Sequence, residues 1–366
     1  MSAQRRRESP GGTGLHPARP TLIIGGAGFI GSNLADRIAR SGGEVVVLDD
    51  LSRPGVEQNG AWLSARHPRL VSIEVGDVRD RRAMQRVVRE AGQVFHLAAQ
   101  VAVTTSLADP LDDFTINAAG TLTVLEALRA LPAPPPLVFT STNKVYGHLE
   151  DLEVVDAEHG YAPSDPAIRR HGIDEQRPLD FCSPYGCSKG AADQYVLDYA
   201  RTFGLPATLF RMSCIFGPRQ FGTEDQGWVA HFVRRVLDDR PITIFGDGRQ
   251  VRDILFVDDL VDALLTASAR IDATRGCPFN IGGGPGNAIS VLRVLELIAR
   301  RLGRRPRLEF GPWRPSDQRY YVSDTRRFER LTGWRARTGV DDGIGRLVDW
   351  MRAPRTIDAT TREAAA

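Results

Sequence analysis

A tyrosine and a lysine stand four residues apart within the segment 184–189, as Tyr185 and Lys189. On a helix, positions i and i+4 share a face, so the phenol and the ammonium can meet the same ligand. A neighbouring cation stabilises the phenolate and lowers the pKa of the phenol from about 10 towards the working range of a general base. The pair therefore predicts removal of a proton from a hydroxyl group while a hydride leaves the same carbon.

Three glycines, Gly25, Gly28 and Gly31, lie between a short apolar run and a predicted helix. Glycines in this context permit a tight turn and let the helix N-terminus approach a pyrophosphate, whose charge the free N–H groups stabilise. Spacing alone is weak evidence, but a strand before the turn and a helix after it are the context that a dinucleotide site requires. We therefore expect a bound dinucleotide, with Phe29 and Ile30 in contact with it.

Acidic residues follow the second and third predicted strands. Asp49 is placed to accept hydrogen bonds from an adenosine ribose, and a carboxylate there favours NAD over NADP, although Arg53 works against that preference. Asp77 either reaches the adenine edge or caps a helix that starts near Arg79, and the residues alone leave both interpretations open. The remaining predicted cofactor contacts are Asp50, Ser52, Arg53, Val78, Leu97, Ala98 and Ala99.

Apolar runs alternate with helical patterns from residue 21 to about residue 211, which predicts an α/β fold built on a doubly wound parallel Rossmann sheet. Strands are expected at 22–24, 45–48, 71–75, 94–97, 137–140 and 207–211, and helices at 29–40, 79–89, 114–131 and 184–203. Residues 212–352 have shorter elements and predict a smaller α/β substrate-binding domain that exchanges segments with the first. Residues 149–181 form either a lid or a passive loop, and we expect flexible tails at 1–20 and 353–366.

Bulk composition excludes several classes of protein. The 366 residues are 42% hydrophobic and 25% charged, with a net charge of +2, so no general electrostatic field attracts nucleic acid. No apolar run reaches the roughly 18 residues of a membrane helix. The four cysteines show no metal-ligand spacing, so we expect no metal, and reduced thiols favour a cytoplasmic location.

Thr142 follows the fifth predicted strand, at the edge of the sheet where ligands bind, and either donates its hydroxyl to a reacting oxygen or closes a turn. Together with residues 25–31 and the Tyr185/Lys189 pair, it resembles the extended short-chain dehydrogenase/reductase superfamily of NAD-dependent nucleotide-sugar epimerases and dehydratases. The resemblance covers residues 21–350 and implies tightly held NAD and a nucleoside-diphosphate sugar. It also implies that Tyr185 is the base, that Lys189 holds the nicotinamide ribose, and that Thr142 completes a triad.

Two residues favour one branch of that superfamily over another. Relatives that eliminate water carry Asp-Glu after this threonine, whereas this chain has Asn143 and Lys144, which disfavours a 4,6-dehydratase. The segments 141–147, 183–201 and 219–228 resemble the branch that epimerises C2 of CDP-linked sugars. That resemblance implies substrate contacts at Thr104, Thr142, Asn143, Lys144, Gln226, Trp228, Arg252, Arg314 and Asp317, where the two arginines grip the diphosphate.

The implied reaction is transient oxidation at C2 by NAD, followed by return of the hydride to the opposite face. Epimerisation at C4, or at C2 of a sugar that keeps its 3-hydroxyl, uses the same residues and stays open. A net NAD-dependent oxidoreductase and a cofactor-binding scaffold without chemistry are the further alternatives. The superfamily commonly pairs subunits through the helices at 114–131 and 184–203, so we expect a homodimer.

Overall fold

The computed structural model describes residues 19–353, so nearly all of both predicted tails lies outside the described residues. The strands are β1 Thr21–Ile24, β2 Val45–Asp49, β3 Val71–Val75, β4 Gln93–His96, β5 Leu137–Thr142, β6 Val154–Ala157, β7 Gly160–Pro163, β8 Ala207–Met212, β9 Cys214–Phe216, β10 Ile242–Phe245, β11 Val251–Phe256, β12 Pro278–Ile281, β13 Ala288–Ser290, β14 Leu308–Gly311 and β15 Tyr320–Tyr321.

The α-helices are α1 Phe29–Arg40, α2 Val56–Arg66, α3 Arg81–Glu90, α4 Val103–Ala108, α5 Pro110–Phe114, α6 Gly120–Arg129, α7 Pro166–His171, α8 Ser183–Thr202, α9 Trp228–Leu237, α10 Val257–Ala269, α11 Ile271–Thr274, α12 Val291–Leu302, α13 Arg326–Thr332 and α14 Val340–Arg352. A π-helical turn, Thr115–Ala119, joins α5 to α6. Short 3₁₀ turns cover Asn143–Tyr146 and Pro285–Asn287.

A seven-stranded parallel sheet in the order β3-β2-β1-β4-β5-β8-β12 confirms the predicted doubly wound Rossmann architecture. The chain order reverses between β1 and β4, and in such sheets ligands bind beyond the carboxyl ends of the strands at that point. The strands read as nearly continuous apolar runs because both faces of the sheet are covered by helices.

Alternate residues of each strand supply the two cores on either side of the sheet. On one side, Ile23 of β1 belongs to the cluster formed with α1, α2 and α10. On the other, Leu22 and Ile24 belong to the cluster formed with α3, α6 and α8. The helix that carries Tyr185 and Lys189 is therefore packed directly against the sheet.

The second half of the chain forms smaller sheets and also adds a strand to the large one. β11 pairs with β9 and β15 in parallel and with β13 antiparallel, and β10 pairs with β14. β12 returns to pair with β8 at the edge of the main sheet. The predicted boundary between residues 211 and 212 stays a prediction.

Several local predictions need correction. The helix expected at 79–89 begins at Arg81, because Asp80 caps it by accepting from the Arg82 and Ala83 N–H groups. The helix expected at 114–131 is interrupted by the π-helical turn. Helix α2 was missed, and the insertion at 149–181 contains the antiparallel pair β6–β7 and helix α7.

A buried ion pair joins α8 to the sheet. Arg211 on β8 donates to both carboxylate oxygens of Asp193 on α8, at 2.9 Å each, and the two side chains are only 4% and 0% exposed. The same guanidinium donates to the Tyr146 hydroxyl at 3.1 Å. Removal of one partner leaves the other charge buried and unpaired, which is far costlier than loss of an exposed pair.

We expect Arg211→Met to lower the free energy of unfolding by about 3–5 kcal/mol, as is typical when one member of a buried pair is removed. Denaturant unfolding followed by circular dichroism measures it. The matched control is Arg301→Met, which breaks the exposed pair with Asp341 and should cost about 1 kcal/mol or less. Equal losses in the two variants would contradict the buried-pair argument.

Candidate functional site

A cavity of about 440 Å³ lies at the carboxyl ends of β1, β2, β3 and β4, next to the point where the strand order reverses. Its position is the one that a doubly wound sheet provides for a dinucleotide. All of the predicted cofactor contacts that precede α8 in the chain line this cavity: Gly25, Gly28, Phe29, Ile30, Gly31, Asp49, Asp50, Ser52, Arg53, Asp77, Val78, Leu97, Ala98 and Ala99.

The glycine turn leaves no room for side chains. Gly25 has a φ of +81°, and a Cβ there would lie 2.5 Å from the Ala98 backbone nitrogen. A Cβ on Gly31 would lie 2.5 Å from the Gly25 carbonyl oxygen. Gly28 caps α1 without a side-chain acceptor, so the first-turn N–H groups are available to an anion. This cradle fits the pyrophosphate of a dinucleotide.

Two carboxylates line the cavity next to the glycine turn. Asp49 accepts from the Ala27 N–H and from the Leu51 N–H, both at 3.0 Å, which fixes its orientation. Burial raises the pKa of Asp49, while backbone hydrogen bonds from Leu51, Ala27 and Gly28 oppose that shift. A carboxylate accepts hydrogen bonds on both of its oxygens, so Asp49 suits a ribose hydroxyl. The neighbouring Asp50 accepts from the Ser52 N–H and hydroxyl and faces water.

Asp77 does not cap the third helix, since Asp80 does so. Its carboxylate instead pairs with the Arg79 guanidinium at 2.6 Å, which lowers the pKa of Asp77. Arg79 also reaches Asp112 at 2.9 Å. Asp77 and Asp112 both line the cavity, so Arg79 joins the two segments that carry these carboxylates.

Several residues of the cavity wall were missed by sequence reasoning. Asn59, on the unpredicted helix α2, donates to the carbonyls of Ala27 at 3.1 Å and Arg219 at 3.2 Å. Arg219 and Gln220, together with Phe221, cover the cavity from the second half of the chain. The only sequence signal for this cover was the segment 219–228, which contributed to the family resemblance.

Tyr185 and Lys189 lie on α8 and are almost completely buried. The N–H of Tyr185 donates to the Ser106 hydroxyl at 3.1 Å, and its phenol shares a hydrogen bond with the Thr142 side chain. Lys189 donates to the Thr140 carbonyl at 2.6 Å and lies 4.3 Å from the centroid of the Phe139 ring. Strand β5 therefore positions the trio of Thr142, Tyr185 and Lys189.

The prediction that Lys189 lowers the pKa of Tyr185 is wrong for this structure. Burial raises the pKa of Tyr185 to about 12, although Thr142 and the charge of Arg53 oppose that shift. Burial also lowers the pKa of Lys189 to about 7. Desolvation penalises both charged forms, and it outweighs the attraction between neighbours that the helix spacing alone suggested.

The two residues after Thr142 face the segment that carries Asp317. Asn143 donates to the Gln318 side chain at 3.4 Å, and Lys144 donates to the Ser316 carbonyl at 2.9 Å. Burial lowers the pKa of Lys144. The end of β5 is thus joined directly to the loop at 314–318. Neither Asn143 nor Lys144 offers the carboxyl group of a dehydratase acid or base.

Each of the two predicted diphosphate-binding arginines has an acidic partner. Arg252 on β11 is buried and pairs with Asp317 at 2.6 Å, and it also donates to the Gln318 carbonyl. Arg314 pairs with Asp225 at 3.3 Å and lies 3.9 Å from the centroid of the Phe245 ring. The charges of Asp317 and Arg252 both act on Lys144, so these three residues lie near one another, and their role in substrate binding stays a prediction.

The other predicted substrate contacts are more dispersed. Gln226 lines the cofactor cavity and accepts from Arg53 at 2.9 Å. Trp228 donates its indole N–H to Cys214 at 3.4 Å, and Cys214 interacts with Arg252 and Lys144. Thr104 is exposed at the start of α4. Asp225, which precedes Gln226, also lines the cavity and pairs with Arg314, so this segment connects the cavity to Arg314.

Residues 21–282 match the model of the NAD dependent epimerase/dehydratase family. The chain belongs to that family. This epimerase/dehydratase is 42% identical over 338 residues to the CDP-paratose 2-epimerase of Salmonella typhi, an alignment that covers 90% of this chain and 98% of the relative.

Solved structures agree with this membership. The UDP-glucose 4-epimerase of Thermus thermophilus, in complex with NAD, matches with a TM-score of 0.76 at 32% identity, over 92% of this chain and 100% of that one. The UDP-glucose 4-epimerase of Thermotoga maritima, with UDP-glucose, matches with a TM-score of 0.77 at 30% identity, over 91% and 98%. The chain is an enzyme of this family, and its cofactor is NAD. Within residues 19–353 no helix has the length and apolarity needed to cross a bilayer.

We expect Gly31→Ala to abolish NAD binding in this epimerase/dehydratase, because the new Cβ meets backbone atoms of Gly25 and Gly26 that cannot move aside. The nucleotide released from denatured purified protein measures the bound cofactor. Gly339→Ala is the control, since a Cβ there meets nothing within 4 Å and the φ of −70° suits alanine. Full NAD content in Gly31→Ala would show that the turn does not contact the cofactor.

Proposed function

We propose that this enzyme is a 2-epimerase of a CDP-linked sugar. The observation that carries the proposal is its 42% identity to CDP-paratose 2-epimerase along nearly the whole length of that relative. The UDP-glucose 4-epimerases reach 30% and 32% identity over similar lengths. A nucleoside-diphosphate sugar suits the pair of arginines at 252 and 314, whose guanidinium groups match phosphate oxygens.

In this proposal Tyr185 exchanges a proton with the reacting sugar hydroxyl, and Thr142 orients both groups through its own hydroxyl. Lys189 holds the nicotinamide ribose, and the glycine turn with Asp49 holds the remainder of the cofactor. When bound, oxidised NAD supplies a hydride acceptor and a positive charge. The buried phenol has a pKa of about 12, so groups that favour the phenolate, Thr142 and Arg53 among them, assist proton removal.

The alternatives differ from this proposal in defined ways. A 4-epimerase uses the same trio with the sugar ring turned, and so does a 2-epimerase of a sugar that keeps its 3-hydroxyl. A net oxidoreductase would accumulate NADH, which its absorbance reveals. A scaffold without chemistry gives no reason for Thr142, Tyr185 and Lys189 to be brought together in a buried site.

The preference for CDP over other nucleotides belongs to this proposal, and so does a homodimer. Exposed apolar side chains on α5 favour a second copy as the partner, as Leu111 is 71% exposed and Phe114 is 52% exposed. A cytoplasmic location is proposed because Cys182, Cys187, Cys214 and Cys277 are all free thiols.

We expect Tyr185→Phe to lower kcat by about 10²–10⁴-fold, the usual contribution of a positioned general base. The melting temperature and the bound NAD should stay unchanged, because the ring is kept. Tyr195→Phe, an exposed position on the same helix, should turn over normally. Near-normal turnover by Tyr185→Phe would refute the role of the phenol.

We expect the enzyme to convert a CDP-sugar to its C2 epimer, without deuterium at C2, when CDP-, GDP-, UDP- and dTDP-sugars are offered in heavy water. The hydride leaves and returns without exchange with solvent, so the original hydrogen stays on C2. Proton NMR of the products shows both which carbon is inverted and whether C2 carries hydrogen or deuterium. Deuterium at C2 would indicate direct deprotonation, and a product inverted at C4 would favour the 4-epimerase alternative.

A further inference from the structure

A buried polar network lies behind the catalytic helix, and it is formed by Asp113, Asn117 and Ser188. Asp113 is 1% exposed, and its two carboxylate oxygens accept from the Ser188 hydroxyl and, at 3.2 Å, from the Asn117 side-chain amide. The Asn117 amide also donates to the Ser188 hydroxyl at 3.0 Å. Ser188 directly precedes Lys189 and stands three residues after Tyr185, so the network contacts α8 between the two.

The π-helical turn contributes to this arrangement. Asp113 is the penultimate residue of α5 and Asn117 lies inside the turn at Thr115–Ala119, and both side chains reach Ser188 on α8. Such turns are rare in proteins as a whole, and those that occur are often found at functional sites. The side chain of Asn117 is itself fixed by the backbone of Gln100. The Gln100 N–H donates to the side-chain oxygen of Asn117 at 3.0 Å, and the Gln100 carbonyl accepts from the side-chain amide at 3.1 Å. Gln100 lines the cofactor cavity, so the network connects that cavity to the catalytic helix.

Asp113 also supplies charge near Lys189. The carboxylate of Asp193, one turn beyond Lys189, is already matched by the bidentate pair with Arg211. Both donors to Asp113 are neutral groups, and the charge of Lys189 lowers the pKa of Asp113 against the rise that burial causes. A buried ammonium that lacks a counter-charge loses its proton readily.

We propose that Asp113 is a positioning residue for the reaction of the proposed function, on which this inference rests. Its carboxylate holds Ser188, and with it the turn of α8 between Tyr185 and Lys189, and provides the counter-charge that keeps Lys189 an ammonium.

The groups that face the pair define the expected pH dependence. Burial lowers the pKa of Lys189, while Asp193 and Asp113 raise it, and the buried His96 near Lys189 stays neutral because its pKa is lowered to about 3. Burial and Asp113 raise the pKa of Tyr185, whereas Thr142 and Arg53 lower it. Loss of the Asp113 charge therefore lowers both the pKa of Lys189 and that of Tyr185.

The test is the pH profile of kcat for Asp113→Asn, measured with a nucleotide sugar that the wild-type holoenzyme turns over. We expect both limbs of the profile to move to lower pH by about one unit, a modest shift for loss of a neighbouring charge. On the basic limb that shift is about a tenfold loss of kcat, and the KM for the sugar should stay unchanged. Asp198→Asn makes the same chemical change at an exposed position of α8 and should leave the profile in place.

A folded Asp113→Asn enzyme with unmoved limbs overturns the inference. If that variant does not fold, Ser188→Ala decides, because it removes the link between Asp113 and α8 and keeps both the carboxylate and its hydrogen bond from Asn117. A fall in kcat with normal NAD content supports the inference, and unchanged kcat overturns it. Failure of the proposed function looks different, since the wild type would then turn over none of the sugars or Tyr185→Phe would stay active.

Discussion

A lysine ammonium removed from water is the constraint on which this site depends. Lys189 is 3% exposed, and a single carbonyl, that of Thr140, accepts its hydrogen bond at 2.6 Å. Burial lowers its pKa to about 7, while the charges of Asp193 and Asp113 raise it, so the ammonium depends on its surroundings for its proton. The same burial raises the pKa of Tyr185. The protonation of both groups is therefore set by the neighbouring charges and hydrogen bonds of the folded protein.

Contacts between distant segments join the cofactor cavity to the region of Arg252 and Arg314. Arg53, which follows β2, reaches Gln226 in the segment that covers the cavity. Lys144, which follows the catalytic strand, donates to the carbonyl of Ser316, next to the Asp317 partner of Arg252. These hydrogen bonds tie the end of β5 to the loop that carries Arg314. Thr142 stands two residues before Lys144, so this hydrogen bond lies close to the predicted site.

Much of the first half of the fold was predictable, because its elements are local. The bounds of α1 and β3 agree with the expected 29–40 and 71–75, since apolar runs and a glycine turn mark them. Helix α2 was missed because its apolar positions follow no clear helical period, and it is stabilised instead by packing under Arg219 and Phe221 from far along the chain. The π-helical turn was not predicted either. It depends on hydrogen bonds from Asn117 to Gln100 and Ser188, which lie in other segments of the chain.

Residue types and spacing were enough to determine the glycine turn, the acid at the end of β2 and the Tyr185/Lys189 face of a helix, since each depends on neighbours a few residues away. The folded chain alone decided the protonation of that face, the acidic partners of Arg252 and Arg314, and the network around Asp113. The reason is physical. Desolvation and charge pairing depend on which atoms surround a group in space, and those atoms come from segments as far apart as residues 53 and 226.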